Sequence, residues 1–268
     1  MRYRVFRLFA VAILLCLALM GGRNGVAAQD QAGEEVVSGA VFDPNPTNDS
    51  YPGTSQYIDY VVQHADTVWT KWFKDNGLNE PYVYRYDVFE GQSFTMNCKE
   101  KNGVRTVVVW DTNNAYYCGL DVVYVDGVTY QGVMYFPIDT MLQLKSGDIF
   151  DKESTYPGDF ALAMVVAHEF GHHIQDELRI QMGWTDISGV NKELIADCFS
   201  GIWASAAYED SLLETGDVEE AIAALDTLGG ETHGTAEQRK NAWLIGYNGT
   251  QDNPKAGVPK NCIDAYWT

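Results

Sequence analysis

The sequence predicts an α+β domain in which a mixed or antiparallel sheet packs against one buried helix. After one early helix, strand-like segments rich in β-branched residues extend to about residue 125, and helix-like segments fill the chain from residue 159. Strands and helices that are segregated along the chain in this way are typical of α+β folds. With 46% hydrophobic content, the 268 residues can bury one good-sized core or two small ones. One folded domain over residues 55–268 is the simplest arrangement.

The N-terminus has the pattern of a secretory signal peptide. Arg2, Arg4 and Arg7 precede an apolar run over residues 8–20, and small residues follow up to Ala28. This run is shorter than the roughly 20 apolar residues that a membrane-spanning helix needs. We therefore expect residues 1–28 to be removed and the protein to be secreted or otherwise extracytoplasmic. An uncleaved membrane anchor is the alternative.

The charge of the chain excludes some classes of partner. Cleavage after Ala28 would remove four arginines and no acid, so the formal net charge would change from −19 to −23. A chain this acidic does not bind nucleic acid or anionic membranes through bulk electrostatics. We therefore expect no nucleic-acid partner and, after cleavage, no stable membrane association.

Residues 29–54 are predicted to form a flexible linker, because FDPNPTNDSYPGT contains three prolines and little periodic apolar content. Thr54 or Ser55 can cap the helix that follows, and Asn76 and Gly77 can end it. The apolar residues of this helix recur at helical spacing and form its predicted core face: Ile58, Val61, Val62, Ala65, Val68, Trp69, Trp72 and Phe73.

Strands follow this helix. The alternation over residues 82–89 predicts one strand, and the β-branched runs at residues 106–110 and 122–125 predict two more. From residue 159, apolar residues recur at helical spacing, and Asp159 can cap the first of four helices. The other three are predicted over residues 191–208, 217–228 and 237–245.

Four cysteines remain after removal of the predicted signal peptide: Cys98, Cys118, Cys198 and Cys262. An even number in an exported chain suggests two disulfides, for which three pairings exist. Because Cys98 and Cys118 flank a predicted hairpin, we favour Cys98–Cys118 and Cys198–Cys262. Four buried free thiols are the alternative.

The segment AHEFGHHIQ, residues 167–175, concentrates three of the five histidines of the chain. On a helix, His168 and His172 project from the same face one turn apart, close enough to share one metal ion. Glu169 lies beside that face, where it can act as a general base on a metal-bound water. His173 points about 100° away around the helix and is predicted to pack or to form hydrogen bonds instead. Surface histidines without a metal are the alternative.

A catalytic zinc site needs a third protein ligand and an open position. One known extension of the motif would place a third histidine at position 178 and a glycine at position 175, but these residues are Leu178 and Gln175. Glu193 is a better candidate, because an antiparallel return of its helix could bring it to the metal. Asp197, one turn later, could accept a hydrogen bond from a ligand histidine. Two solvated acids on an amphipathic helix are the alternative.

Three segments in this order resemble the bacterial neutral zinc metallopeptidases: HEFGHHIQ, ELIADCFSGIWA and THGTAEQR. These are zincins with a thermolysin-like His-Glu-x-x-His plus Glu arrangement, and the resemblance is strongest over residues 116–247. It implies a zincin-like fold with Zn²⁺ as the cofactor. It further implies His168, His172 and Glu193 as zinc ligands, and Glu169 as the catalytic base.

The function predicted from these residues is zinc-dependent hydrolysis of peptide bonds, with a peptide or protein as the substrate. His233, in a Gly-flanked loop, could stabilise the oxyanion of the reaction; a loop-stabilising histidine is the alternative. An extended substrate could add as a strand beside residues 104–125. Two other functions use the same residues. The domain could be a non-catalytic zinc-bearing binding module, or an amidase that acts on a non-protein amide.

Overall fold

The computed structural model describes residues 51–100, 102–230 and 232–267. The predicted signal peptide and nearly all of the predicted linker lie outside these residues. The described part is a mixed α+β fold with seven helices and two small sheets. None of the described helices is both long enough and apolar enough to span a lipid bilayer.

The helices, in chain order, are α1 (Tyr51–Asp75), α2 (Ile138–Lys145), α3 (Asp159–Met182), α4 (Val190–Glu209), α5 (Asp217–Leu228), α6 (Ala236–Asn248) and α7 (Pro259–Tyr266). The strands are β1 (Tyr84–Val88), β2 (Ser93–Lys99), β3 (Arg105–Val109), β4 (Tyr116–Val125) and β5 (Val128–Pro137).

The larger sheet has the strand order β1-β5-β4 and is mixed, because β5 pairs parallel to β1 and antiparallel to β4. The second sheet is the antiparallel hairpin β2–β3. The mixed sheet agrees with the sequence prediction, but its central strand, β5, was missed, as were β2, α2 and α7. A signal for β5 was available. Asp126 and Gly127 both adopt positive φ between two apolar strands, as a two-residue hairpin turn requires.

The second half of the central strand β5, residues 132–137, is buried on both faces and separates two cores. Met134 and Phe136 face the larger core, which is built mainly from helices α1, α3 and α4. Val133 and Tyr135 face the smaller core, which lies between the two sheets. Alternate residues of a strand point to opposite faces, so one strand can serve both cores.

Helix α1 begins at Tyr51, so residues 51–54, assigned to the linker from the sequence, form its first turn. Pro52 suggested a linker, yet proline is tolerated in the first turn of a helix, where its missing N–H has no partner to lose. Thr54 is therefore not the N-cap of the helix; it lies buried within the first turn. The predicted end of the helix, at Asn76 and Gly77, is confirmed.

The predicted cap of α3 is wrong. Asp159 is the first residue of the helix, and the N-cap position is Gly158, which has no side chain to accept a hydrogen bond. Instead, Oε2 of Glu220, in α5, accepts a hydrogen bond of 2.9 Å from the backbone N–H of Phe160. One N–H of the first turn of α3 thus has its partner on a distant helix, which local sequence cannot reveal.

Both favoured disulfides are present, Cys98–Cys118 and Cys198–Cys262. The first joins β2 to β4 and so ties the two sheets together. Cys98 and Cys118 do not flank a single hairpin, as the sequence predicted. Cys98 lies on β2, which pairs with β3, whereas Cys118 lies on β4. The second joins α4 to α7. Two disulfides are consistent with an oxidising, extracellular location.

Helices α4 and α6 approach each other through glycines. A Cβ atom on Gly201 would lie 2.1 Å from the backbone oxygen of Trp243, and one on Gly246 would lie 2.0 Å from the backbone oxygen of Cys198. Real Cβ atoms do not approach backbone this closely, so any larger residue would push the two helices apart. This contact fixes α6, which carries Arg239, against α4, which carries Asp197.

We expect Gly246→Ala to lower the free energy of unfolding by about 2 kcal/mol, because the new methyl group meets backbone that cannot yield. Alanine favours a helix over glycine by about 1 kcal/mol, so a net loss can come only from the clash. Chemical denaturation measures the effect. Gly230→Ala is the control, since its Cβ would meet nothing within 4 Å. Equal stability of the Gly246→Ala and wild-type proteins would contradict the close approach.

Candidate metal centre

The centre of helix α3 carries the predicted motif into the protein interior. Its preceding residues, 161–167, are all buried in the larger core. His168 and Glu169 are themselves buried, and His172 stands one turn after His168 on the same face of the helix. The two imidazole rings have their centroids 4.7 Å apart. The motif therefore lies on the buried middle part of helix α3.

Helix α4 runs antiparallel to α3 and passes close to it. The side-chain amide of Gln175 donates a hydrogen bond of 2.7 Å to the backbone oxygen of Lys192. Further along, a Cβ on Gly171 would lie 2.8 Å from the backbone oxygen of Ala196. This is the antiparallel return that the sequence predicted for the helix of Glu193.

The return brings Glu193 to the two histidines. Its Oε2 atom lies 3.5 Å from Nε2 of His168 and 3.5 Å from Nε2 of His172. Two ligand atoms bound tetrahedrally to one zinc ion at 2.0–2.1 Å are about 3.4 Å apart. One ligand atom from each of the three residues lies within 4.8 Å of the others. Two imidazoles and one carboxylate are a donor set that suits zinc, so the residues fit this ion.

Asp197 is completely buried and accepts hydrogen bonds from two directions. Its Oδ1 atom lies 2.8 Å from Nδ1 of His168. The guanidinium of Arg239 donates from Nε to Oδ2 at 2.7 Å and from Nη2 to Oδ1 at 2.7 Å. The hydrogen bond to Nδ1 leaves Nε2 of His168 directed towards Glu193. Asp197 therefore orients His168, and Arg239 in turn neutralises Asp197.

The charges of the centre are strongly coupled. Burial alone would lower the pKa of His168, but the carboxylate of Asp197 outweighs it and raises the pKa to about 10. Burial alone would raise the pKa of Glu193, yet His172 and His168 hold it well below its usual range. The carboxylates of Asp197 and Glu193 stabilise positive charge on the imidazoles, and they would stabilise a divalent cation at the same place. Burial raises the pKa of Glu169.

The centre lies in a cleft of about 410 Å³. Glu169, His172 and Glu193 line it, and so do Tyr116 and Tyr117 at the start of β4. The cleft is therefore reachable from solvent at the point where the three candidate ligands meet.

His233 also lines the cleft. Its Nε2 atom lies 3.9 Å from Oε2 of Glu193, and its Nδ1 atom lies 2.8 Å from Oγ1 of Thr232. Half of its side chain is exposed. Burial of the other half lowers the pKa of the imidazole. The structure thus brings five of the six predicted site residues, and also Arg239, to one cleft. The sixth, Asp197, is buried behind His168. His173 is buried beside Tyr117, away from the candidate ligands.

Two residues that hold the centre together were missed from the sequence. Gln175 fixes the backbone just before Glu193, and Gly171 permits the close approach of α4. For Gln175, the sequence contained a signal. Gln175 follows His168 and His172 at seven and three residues, so it lies on the same helical face. The pairing of Arg239 with Asp197 could not be read from the sequence, because the two residues lie on different helices.

The family model described as "Putative neutral zinc metallopeptidase" matches residues 8–255. The chain belongs to this family. Among its relatives, the uncharacterized protein YpfJ of Escherichia coli is 31% identical over 51% of this chain and 55% of that protein. The uncharacterized protein Rv2575 of Mycobacterium tuberculosis is 33% identical over 43% of this chain and 51% of that protein. The chain thus spans about half the length of these relatives. No solved structure matches it significantly.

We expect Asp197→Ala to lower the free energy of unfolding by about 3–5 kcal/mol, because it leaves the buried guanidinium of Arg239 without its carboxylate. Denaturation in the presence of a chelator measures this effect without any contribution from bound metal. Asp264→Ala is the control, because Asp264 pairs with Lys260 on the exposed surface of α7, where a salt bridge contributes less than about 1 kcal/mol. Similar losses in the two variants would contradict the role assigned to the buried pair.

Proposed function

We propose that the protein is a secreted, zinc-dependent metallopeptidase with a zincin-like active site. The observation that supports this best is the convergence of Nε2 of His168, Nε2 of His172 and Oε2 of Glu193 in an open cleft, with Glu169 beside them. Family membership supports the same chemistry, because the family is named for zinc and for peptidase activity. His168, His172 and Glu193 would hold the ion.

Bound there, a zinc ion would act as a Lewis acid towards the substrate carbonyl and would lower the pKa of the attacking water, so that the water could lose a proton near neutral pH. Glu169 accepts that proton as the general base and later delivers it to the leaving amine. Burial strengthens Glu169 as a proton acceptor by raising its pKa. Its position beside the candidate ligands, in the same cleft, provides the reach that this role requires.

Two further residues complete the proposed mechanism. Asp197 fixes the tautomer of His168 through the hydrogen bond to Nδ1, which keeps the lone pair of Nε2 free for the ion. His233 donates a hydrogen bond from Nε2 to the oxyanion that develops on the substrate. Its half-exposed side chain and its place on the cleft support this role, as does the contact that holds its Nδ1 to Thr232.

The substrate in this proposal is an extended peptide that adds as a strand to the start of β4. Tyr116 and Tyr117 line the cleft, and within the described residues β4 pairs only with β5. An edge strand beside the ligand cluster offers backbone donors and acceptors to a substrate without demanding particular side chains. The segment next to the cleft, rather than the whole of residues 104–125, is the part suited to this contact.

We expect Glu169→Gln to abolish hydrolysis of casein or peptides while zinc content stays near that of the wild type, because the base is lost and the ligands are kept. Metal analysis and a peptide digest, each with and without chelator, measure the two effects. Glu177→Gln, on the same helix but away from the cleft, is the control and should stay active. If a zinc-loaded wild-type protein cleaves no protein or peptide, the proposal fails. A non-catalytic zinc module or an amidase for a non-protein amide would then be favoured.

We expect a single proline or N-methylated residue in a cleaved peptide to slow its hydrolysis at alternate positions, because alternate backbone N–H groups of an added strand face β4. A scan along one peptide, with kcat/KM measured for each member, tests this. Hydrolysis that is unaffected at every position would contradict strand addition but would leave the zinc chemistry intact.

A further inference from the structure

The cleft does not share the acidic excess of the chain. The sequence has 37 acids against 18 lysines and arginines. The cleft, however, is lined by three cationic residues, Lys152, Lys192 and Arg239, and by only two carboxylates, Glu169 and Glu193. Both carboxylates belong to the proposed zinc centre, and Arg239 is already paired with Asp197. The two lysines are therefore the charges left to face a substrate.

Lys192 is held next to the centre by its backbone. It stands in the first turn of α4 directly before Glu193, and its carbonyl oxygen accepts the hydrogen bond from the buried amide of Gln175. Its side chain is exposed on the cleft. Among the described residues, no carboxylate lies within ion-pair distance of its ammonium group. The residue thus combines a fixed anchor with an ammonium group available to a ligand.

Lys152 reaches the cleft from a tight turn between α2 and α3. Ile149 and Lys152 exchange backbone hydrogen bonds of 2.7 Å and 3.1 Å across this turn, and Phe150 and Asp151 at its tip both have positive φ. The side chain of Asn113, which also lines the cleft, donates a hydrogen bond to Asp151. Nζ of Lys152 donates to the backbone oxygen of Thr227 at 3.0 Å, which leaves two N–H bonds for other acceptors.

We propose that Lys192 and Lys152 form a carboxylate-recognition site, so that the cleft prefers peptides that carry an acidic side chain or a free C-terminal carboxylate near the bond to be cleaved. This inference rests on the proposed peptidase function and deepens it. A hydrogen bond to a charged ammonium group contributes more to binding than one between neutral groups. The net charge of the chain repels acidic peptides at a distance, so the preference must arise from these short contacts.

The test measures binding separately from catalysis. The protein is the zinc-loaded Glu169→Gln variant, and the probes are three peptides of one apolar sequence with an uncharged fluorescent label. One probe is amidated and neutral, one has a free C-terminal carboxylate, and one is amidated but contains a single glutamate. We expect at least one acidic probe to bind about tenfold more tightly than the neutral probe, as judged by fluorescence anisotropy. The better acidic probe identifies the source of the carboxylate.

Variants separate the lysines from the zinc ion, which can bind a carboxylate by itself. Lys192→Met and Lys152→Met, each added to the Glu169→Gln protein, should remove most of the tenfold preference and leave the zinc content and the neutral probe unaffected. Lys71→Met, on the exposed surface of α1, is the control and should preserve the preference. If the preference for acidic probes survives both cleft substitutions, it comes from the metal, and the inference is overturned.

The outcome is distinct from that of the proposed function. Equal binding of the three probes, or no binding of any, overturns carboxylate recognition even if the wild-type protein hydrolyses peptides. A lysine-dependent preference in a protein that hydrolyses nothing supports the recognition site and rejects the peptidase.

Discussion

The fold of the site depends on the contact that places the carboxylate of Asp197 between His168 and Arg239. This carboxylate has no exposure to solvent, so its charge is tolerated only because two partners surround it. It links α3, α4 and α6 at one point. The carboxylate fixes the direction of Nε2 of His168. It also fixes the position of Glu193, which lies one turn earlier on α4. The candidate metal centre therefore depends on its buried support as much as on the candidate ligands themselves.

Small residues make that contact geometrically attainable. Gly171 lets α4 approach α3, while Gly201 and Gly246 let α6 approach α4. Each glycine weakens its own helix slightly, and the close packing that it permits offsets this loss. The disulfide between Cys198 and Cys262 then ties the far side of α4 to α7. The result is a closely packed helical layer that carries the candidate ligands. The start of β4 and the turn at Lys152 form other parts of the cleft.

Sequence reasoning succeeded where the signal is local or repeats with a regular period. The spacing of His168 and His172 defines one helical face, and the boundaries of α5 follow directly from its pattern. Glu193 could be proposed because an antiparallel return of its helix would bring it to the two histidines. Reasoning failed where tertiary structure decides. The second half of the central strand β5 is buried on both faces and so shows no alternation. At the start of α3, an N–H is satisfied by Glu220 from another helix, and Pro52 suits both a linker and a first helical turn. The pairing of Arg239 with Asp197 could not be predicted, because it depends on the packing of α6 against α4.

The central claim is that two imidazoles and one carboxylate share a single divalent ion, and X-ray absorption at the zinc edge of the purified protein tests it most directly. The account predicts one zinc ion per chain, with two imidazole nitrogens and further oxygen donors at about 2.0–2.1 Å. It also predicts that this signature disappears in His168→Ala and changes in Glu193→Gln. A protein that takes up no zinc, or a zinc ion whose coordination is unchanged by both substitutions, would contradict the account.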